Sequence, residues 1–348
     1  MKKVIFALAA VVALAACSND EIIVADKGDA IGFDTFVENS TRAAADPSLT
    51  TETMKTAGFG VYGFVTNAVD GSDVTAPLFT NEHIYWDGTW TYGTKQYWID
   101  GATYDFAAIA PYGEYTVTAA ATTGVTLSFT NDGVTDLLYA QNNAAEHDTV
   151  GFTFKHLLSK VKFTFTNGYD ATNTVISVKN IVINDAYSVG AAELGHDGTA
   201  VTAAWTPSSA NLDLDLAFGN ANPAAGYIAY HASQESDEAL LLIPTAGHTY
   251  NVTFTIELLY QNGVDANDAP VYVKVQEYYH TVALTYDFVF GMSYNVATTI
   301  NSDNIVPNDP DDPNDDNKQK PIEFTVTTIT DWDTDHNDDG ANGDETNI

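Results

Sequence analysis

The chain has 348 residues, 45% of them hydrophobic, which is enough for two ordinary domains with packed cores. Its formal net charge is −34 at pH 7. So acidic a surface repels nucleic acids and anionic membranes, and neither is expected as a partner. The sequence contains one cysteine, so no disulfide can form within the chain. The fold must therefore depend on packing and hydrogen bonds.

The first sixteen residues have the pattern of a secretory signal peptide. Lys2 and Lys3 precede an apolar run over residues 4–16 that is too short to cross a bilayer as a mature helix. The run ends in Leu-Ala-Ala-Cys at residues 14–17, which resembles the lipobox of bacterial lipoproteins. This resemblance implies cleavage before Cys17, followed by acylation of its sulfur and its new amino group. Several acyl chains give firm membrane anchoring. The alternative is an ordinary signal peptide followed by a chance cysteine.

The cysteine is followed by a short acidic tether, residues 18–30, and then by the first strand signal. Residues 31–37 alternate in polarity, which predicts a strand with one apolar face carrying Ile31, Phe33 and Val37. Residues 39–47 are small and polar and end in a proline. They predict an exposed loop that a protease can reach, with Arg42-Ala43 as its basic site.

Strand signals dominate the chain from residue 59 onwards, and no helical stripe of useful length intervenes. Asp87-Gly88 predicts the turn of a hairpin between Tyr85-Trp86 and Trp90, and residues 136–140 allow a short helix or a buried strand. Further strands are predicted at residues 59–65, 97–99, 104–109, 125–129, 150–165, 175–183, 227–231, 239–243, 250–260, 271–284 and 294–300. The pattern indicates an all-β fold of two tandem β-sandwich domains of the transthyretin-like or Greek-key type.

The domain boundaries follow from these signals. We divide the chain into a lipoprotein signal peptide (1–16), a tether with a removable strand (17–42), an N-terminal sandwich (43–156), a C-terminal sandwich (157–305) and an acidic linker with a donor strand and tail (306–348). The linker, residues 306–321, repeats proline and aspartate and is expected to be extended.

The last predicted strand, residues 322–332, begins like the first one, because Ile-x-Phe occurs at the start of both. Its apolar face carries Ile322, Phe324, Val326 and Trp332. A sandwich that loses an edge strand exposes backbone donors, backbone acceptors and an apolar groove, and an incoming strand repairs all three. We therefore expect residues 31–37 to fill such a groove until cleavage after Arg42, when the last strand of another copy replaces them. The alternative is that both are ordinary strands of their own domains.

Several segments in a fixed order resemble the fimbrillin family. They are the lipobox cysteine, Ser40-Thr41-Arg42-Ala43, Phe59-Gly-Val-Tyr62, Asp136-Leu-Leu-Tyr-Ala140, Phe154-Lys-His-Leu-Leu-Ser-Lys-Val161 and Phe324-Thr-Val-Thr-Thr-Ile-Thr-Asp-Trp332. The resemblance implies two β-sandwich domains, export as an outer-membrane lipoprotein, trimming by an arginine-specific protease at Arg42-Ala43, and head-to-tail assembly into a fimbrium with copies or homologues. Trimming would remove Cys17. The family also contains anchor and tip subunits, and a tip adhesin or surface glycan-binding lipoprotein is the alternative function.

The sequence offers little for catalysis or metal binding. No catalytic site, cofactor or metal is predicted, because no His-Glu-x-x-His, Gly-x-Ser-x-Gly or phosphate-loop pattern occurs. His156 lies in an apolar run and is expected to be a hydrogen-bonded core residue. Residues 335–340 resemble half of a calcium loop, but Thr346 stands where a bidentate acid is needed. Glycan stacking on the aromatic region is an alternative to core packing for Trp86, Trp90 and Trp98.

Overall fold

The structure is a computed structural model, which describes residues 29–37, 47–69, 72–143, 148–196, 200–218, 227–306 and 320–331. Within these ranges the fold is all-β, as predicted, apart from one short helix. The elements are β1 (Phe33–Val37), α1 (Thr51–Ala57), β2 (Phe59–Val69), β3 (Ser72–Trp86), β4 (Trp90–Thr91), β5 (Thr103–Ala110), β6 (Tyr115–Ala121), β7 (Gly124–Thr130), β8 (Leu138–Asn142), β9 (Val150–His156), β10 (Ser159–Asn167), β11 (Thr174–His196), β12 (Val201–Leu216), β13 (Ser233–Glu235), β14 (Leu240–Leu242), β15 (Thr249–Val264), β16 (Pro270–Thr285), β17 (Met292–Ile300) and β18 (Thr325–Asp331).

The strands form three sheets. The first has seven strands in the order β1-β9-β8-β5-β2-β3-β4. The second has the order β13-β10-β17-β18, with β14 also paired to β10. The third has the order β16-β15-β11-β7-β6, with β12 also paired to β11. Two of the pairings, β1 with β9 and β10 with β17, are parallel.

The seven-stranded sheet buries side chains on both faces, because its central strands are apolar without strict alternation. In β5, Phe106 and Ala108 join one core cluster, and Ala107 and Ile109 join another. The sheet also curls until its two ends meet. Ala30, just before β1, forms an isolated bridge with Tyr97, which follows β4.

The second and third sheets pack face to face around the largest core cluster. β10 contributes Phe163 and Phe165, and β15 contributes Val252, Phe254 and Ile256. The six-stranded sheet also packs on the first sheet, since Leu127 and Leu194 share a core cluster with Ile109. β11 pairs with β15 from Thr174 to Asn184 and with β7 from Val189 to Gly195. The 23-residue strand β11 thus holds strands from both sides of the predicted junction near His156, which falls between β9 and β10. The division into two domains there stays a prediction.

Some local predictions were wrong. Residues 97–99 and 227–231 form only isolated bridges, at Tyr97 and Ile228. Trp98 turns its ring into the core, where it meets Tyr104 at 4.6 Å, so this segment is fixed by side-chain packing and not by a strand ladder. Of the two alternatives for residues 136–140, the strand is correct, since β8 begins at Leu138. β12 was missed, although Leu212, Leu214 and Leu216 alternate with polar residues, because Pro207, Ser208 and Ser209 interrupt the apolar pattern in its middle.

Candidate functional site

The first strand, β1, lies at the edge of the seven-stranded sheet. It pairs in parallel with β9, in a register that sets Phe33 opposite Val150 and Val37 opposite Phe154. β1 is joined to the sheet through one ladder only, and the segment after β4 meets the chain just before β1 on the other side, through the bridge between Ala30 and Tyr97. β1 thus has the edge position that the sequence predicted for residues 31–37.

The predicted inward face of β1 is buried. Ile31 and Val37 are 1% exposed and Phe33 is 6% exposed, whereas Phe36, on the other face, is 54% exposed. The Phe33 ring enters an aromatic pocket whose centroids lie 5.6 Å away for Phe79 and Tyr92, 5.9 Å for Phe152 and 6.1 Å for Phe106. Removing β1 would leave this pocket open to water. We call the site under β1 the β1 groove, lined by β9, Phe79, Tyr92 and Phe106.

One inward position of β1 fits less well than the others. Thr35 is 9% exposed, and its hydroxyl finds no hydrogen-bond partner among the described residues. A buried hydroxyl without a partner costs about 1–3 kcal/mol relative to a satisfied or apolar group. The β1 groove therefore accepts this threonine at a penalty.

Hydrogen bonds fix both ends of β1. The Tyr92 hydroxyl donates to the Ile31 carbonyl at 2.8 Å, and the Ile31 amide donates to the Gln96 carbonyl at 2.9 Å. Burial raises the pKa of the Tyr92 phenol, which keeps it a donor at neutral pH. At the other end, the Val37 amide donates to the Thr51 hydroxyl at 3.0 Å. The partners of these bonds lie in the segment after β4 and in α1.

The chain that follows the predicted trimming site has an anchor of its own. The Leu49 amide donates to Oδ2 of Asp136 at 2.8 Å, and the same oxygen lies 2.8 Å from Nδ1 of His156. Both side chains are completely buried. This confirms the expectation that His156 is a hydrogen-bonded core residue. Thr50 then caps α1 through a capping box with Thr53. The anchor acts on residues downstream of Arg42, so it does not depend on β1.

The last strand, β18, docks on its own C-terminal sheet. It pairs antiparallel with β17, with Val326 opposite Val296. Phe324 packs against Phe163, with ring centroids 5.6 Å apart, and against Phe254 at 6.0 Å.

The predicted apolar face of this segment is confirmed as far as it is described. Ile322 is buried, Phe324 and Val326 are half-buried, and the residues between them are exposed. The face is thus less deeply buried than that of β1. Being an edge strand, β18 can leave without breaking a second ladder.

The aromatic region is only partly available to a ligand. Trp98 is 5% exposed and Trp90 is half-buried against Phe59, whose ring lies 5.0 Å away. Trp86 is 39% exposed, and the ammonium of Lys55 lies 4.8 Å from its ring centroid. The three tryptophans therefore do not share one open face.

Other predicted site residues lie outside the described ranges. They are Cys17, Arg42, Ala43, Trp332 and the calcium-like segment 335–340. Among the residues that the structure describes, no group of acidic, histidine or cysteine side chains is arranged to hold a metal ion. No described helix is long and apolar enough to cross a bilayer.

Sequence reasoning missed three residues of this site: Tyr92, Asp136 and Thr51. Each acts through a single polar atom on a backbone group distant in sequence. The only sequence signal for Asp136 is a carboxylate placed directly before an apolar run, a pattern too common to identify a buried anchor.

A family model described as fimbrillin-like matches residues 41–332 of this chain. Nothing among the curated proteins matches it. The matched segment includes everything from the predicted trimming site to the last residue of the predicted donor strand.

Similar solved structures include candidate cell adhesion proteins from Bacteroides uniformis and Bacteroides ovatus. The first is 17% identical, with a TM-score of 0.43, over 87% of this chain and 99% of that one. The second is 16% identical, with a TM-score of 0.45, over 88% and 98%. The fimbrial anchor protein Mfa2 from Porphyromonas gingivalis is 10% identical, with a TM-score of 0.32, over 86% and 98%. Likenesses at this level carry no information about function.

Proposed function

Because this chain belongs to the fimbrillin-like family, and is therefore a pilus- or adhesion-related subunit, we propose that it is a structural subunit of a surface fimbrium without a catalytic site. It is exported as a lipoprotein acylated at Cys17, trimmed after Arg42, and assembled by exchange of a terminal strand. The observation that carries the proposal is the position of β1, an edge strand whose apolar face fills the β1 groove.

Loss of β1 creates a strong demand for a replacement. Ile31, Phe33 and Val37 each bury nearly all of their side chains, and full burial of such a side chain is worth about 1.5–3 kcal/mol. The edge of β9 would also lose its ladder partners. A strand from another molecule restores both the ladder and the apolar contacts, which is the recognition mode of strand addition.

The donor in this proposal is the segment that begins at Ile322. Its inward residues, Ile322 and Phe324, repeat Ile31, which lies just before β1, and Phe33, the first inward residue of β1. In the monomer this segment is docked on β17, so donation requires β18 to detach from its own sheet. The less complete burial of Phe324 and Val326 makes that detachment less costly than removal of β1.

The geometry of exchange leads to a filament. Each copy offers a C-terminal strand from one sheet and a groove in another, so the contact is head-to-tail and does not close on itself. Trimming after Arg42 removes Cys17 together with β1. The assembled subunit then belongs to the surface fimbrium and no longer to the outer membrane. The predicted trimming site at Arg42 and the predicted donor strand that ends at Trp332 favour a shaft position. A glycan-binding role would have to depend on Trp86 and Tyr85, since Trp98 is buried.

The test is cleavage of a purified precursor that begins at residue 18. Trimming at Arg42 by an arginine-specific protease, which spares Lys318 and Lys320 before the donor segment, is expected to produce a ladder of oligomers on an unboiled gel. The uncleavable variant Arg42→Gln and a version lacking residues 321–348 should both remain monomeric. Phe324→Asp should leave the monomer folded and stop assembly. A trimmed full-length protein that stays monomeric would remove the basis for the proposal, and a misfolded Phe324→Asp monomer would assign β18 to its own core.

A further inference from the structure

The chain that leads into β1 is held by a segment on the side opposite β9. Residues 92–98 follow β4 directly, and we call them the clasp. The Ile31 amide donates to the Gln96 carbonyl at 2.9 Å, and the Trp98 amide donates to the Asp29 carbonyl at 3.2 Å. These bonds run in both directions between two stretches of backbone. The clasp therefore grips the start of this strand as a short neighbouring strand would.

The clasp is itself fixed to the core at both of its ends. The side chains of Tyr92 and Trp98 are 3% and 5% exposed, whereas residues 93–95 between them are exposed. The Tyr92 hydroxyl donates to the Ile31 carbonyl at 2.8 Å and accepts from the Gln96 amide at 3.2 Å. One hydroxyl thus joins the clasp to the strand, and its loss would weaken the grip without removing the aromatic ring from the core.

The two ends of the strand respond differently to a cut after Arg42. The Val37 end is held by β9 and by the bond from its amide to the Thr51 hydroxyl at 3.0 Å. The cut lies shortly beyond Val37 in the sequence, so it turns this end into a free terminus, and termini detach first. The clasp lies at the opposite end. The cut therefore loosens the Val37 end and leaves every bond of the clasp in place.

We propose that trimming leaves the subunit bound to its own cut peptide, and that the clasp is the last contact to open. This rests on the proposed function, which supplies both the cut after Arg42 and the acyl chains on Cys17. The cut peptide carries the lipid. A subunit that still holds this peptide stays at the membrane, and Phe33 stays buried, until the clasp opens. Cleavage and release are thus two separate steps.

Retention is measured on the precursor that begins at residue 18. An arginine-specific protease cuts it once, because Arg42 is the only arginine in the sequence. The peptide 18–42 is expected to co-elute with the rest of the chain on gel filtration and to separate in denaturant. Tyr92→Phe should release it about tenfold faster, because the hydroxyl that bonds the strand is lost. Tyr85→Phe, at a tyrosine that is 42% exposed and outside the clasp, is the matched control and should leave the release rate unchanged.

Hydrogen exchange at single amides of the cut complex, measured by NMR, tests the order of opening. The Val37 amide reports on the cut end, and the Trp98 amide reports on the clasp. Tyr92→Phe should raise exchange at Trp98 about tenfold and leave Val37 unchanged. Thr51→Val removes the acceptor of the Val37 amide and should raise exchange at both amides, because the clasp opens only from the state in which the Val37 end has detached.

The outcomes separate this proposal from the proposed function. The clasp is not the last contact if the peptide leaves as soon as the cut is made, if Tyr92→Phe and Tyr85→Phe release it equally fast, or if Thr51→Val leaves exchange at Trp98 unchanged. Oligomers in the same sample would still support the proposed function. A peptide that is retained and opens in the expected order, in a concentrated sample that forms no oligomers, supports the clasp and overturns assembly by strand exchange.

Discussion

Replacing Phe33 by alanine tests whether β1 is a separable unit or an integral part of the first sheet. Phe33 is 6% exposed and contacts four aromatic rings at centroid distances of 5.6 to 6.1 Å. Truncating a buried phenylalanine to alanine costs about 3–5 kcal/mol. If β1 opens on its own, its amides exchange through a local opening whose free energy is smaller than that of global unfolding, and this cost lowers that opening free energy. Each 1.4 kcal/mol is a factor of ten, so the β1 amides should exchange about a hundred to a few thousand times faster.

Native-state hydrogen exchange of the uncleaved precursor measures the exchange rates of the β1 amides. Peptides that cover β1 should exchange with a smaller opening free energy than peptides that cover β5 and β8, both in the unaltered chain and in Phe33→Ala. Phe36→Ala is the matched control, because Phe36 lies on the same strand and is 54% exposed. Its exchange should stay close to that of the unaltered chain, as expected for a surface substitution within about 0.5 kcal/mol. One common opening free energy for β1, β5 and β8 in both chains would show that β1 is part of one cooperative core, and the reasoning from a separable strand would be refuted.

Two further predictions concern groups buried elsewhere in the fold. Asp136→Ala should lower the free energy of unfolding by about 3 kcal/mol, because it leaves His156 and the Leu49 amide without their shared acceptor. Asp148→Ala, at an exposed carboxylate, should leave the denaturant midpoint nearly unchanged, and an equal shift in both variants would contradict the role of the anchor. Burial lowers the pKa of His280 below its ordinary value of 6.5, and a hydrogen bond with the Ile305 backbone opposes this only in part. The unfolded chain therefore binds a proton more readily, so stability is lost as the pH falls below about 6.5. His280→Gln should show a smaller fall in Tm between pH 7 and pH 5 than the unaltered chain, whereas His231→Gln, at an exposed site, should show the full fall. A full fall in His280→Gln as well would assign the pH dependence to other groups.

Alternation in the sequence predicts which side chains of a strand face inward, and at β1 that prediction holds for Ile31, Phe33 and Val37. It does not predict the neighbour. β1 pairs with β9, a segment far along the chain, and in parallel, so no local turn indicates the pairing. The burial of the Thr35 hydroxyl without a partner among the described residues is likewise visible only once the surrounding groups are in place. Threonine is a common strand residue, and nothing in the sequence shows that its hydroxyl is left without a partner.

Trp86 and Trp98 show that the local sequence pattern also does not predict which aromatic side chains are exposed. Both occur in a stretch rich in aromatic residues, and local spacing treats them alike. Trp86 lies at the end of β3 and stays 39% exposed, whereas Trp98 lies in a segment without a ladder and is buried against Tyr104. Exposure is decided by the curl of the first sheet, which brings the segment after β4 under β1. This is a tertiary effect, and it overrides the local pattern.

The length of β11 has a mechanical consequence. One continuous backbone is hydrogen-bonded to β15 along its first half and to β7 along its second, so in the proposed fimbrium tension between the β1 groove and the donor segment can pass along this one strand. A force along β11 acts parallel to its ladders with β15 and β7, so many hydrogen bonds must break together. Two strands that are pulled apart from one end would instead lose their hydrogen bonds one at a time. A subunit built this way is suited to withstand drag from flowing liquid at a cell surface.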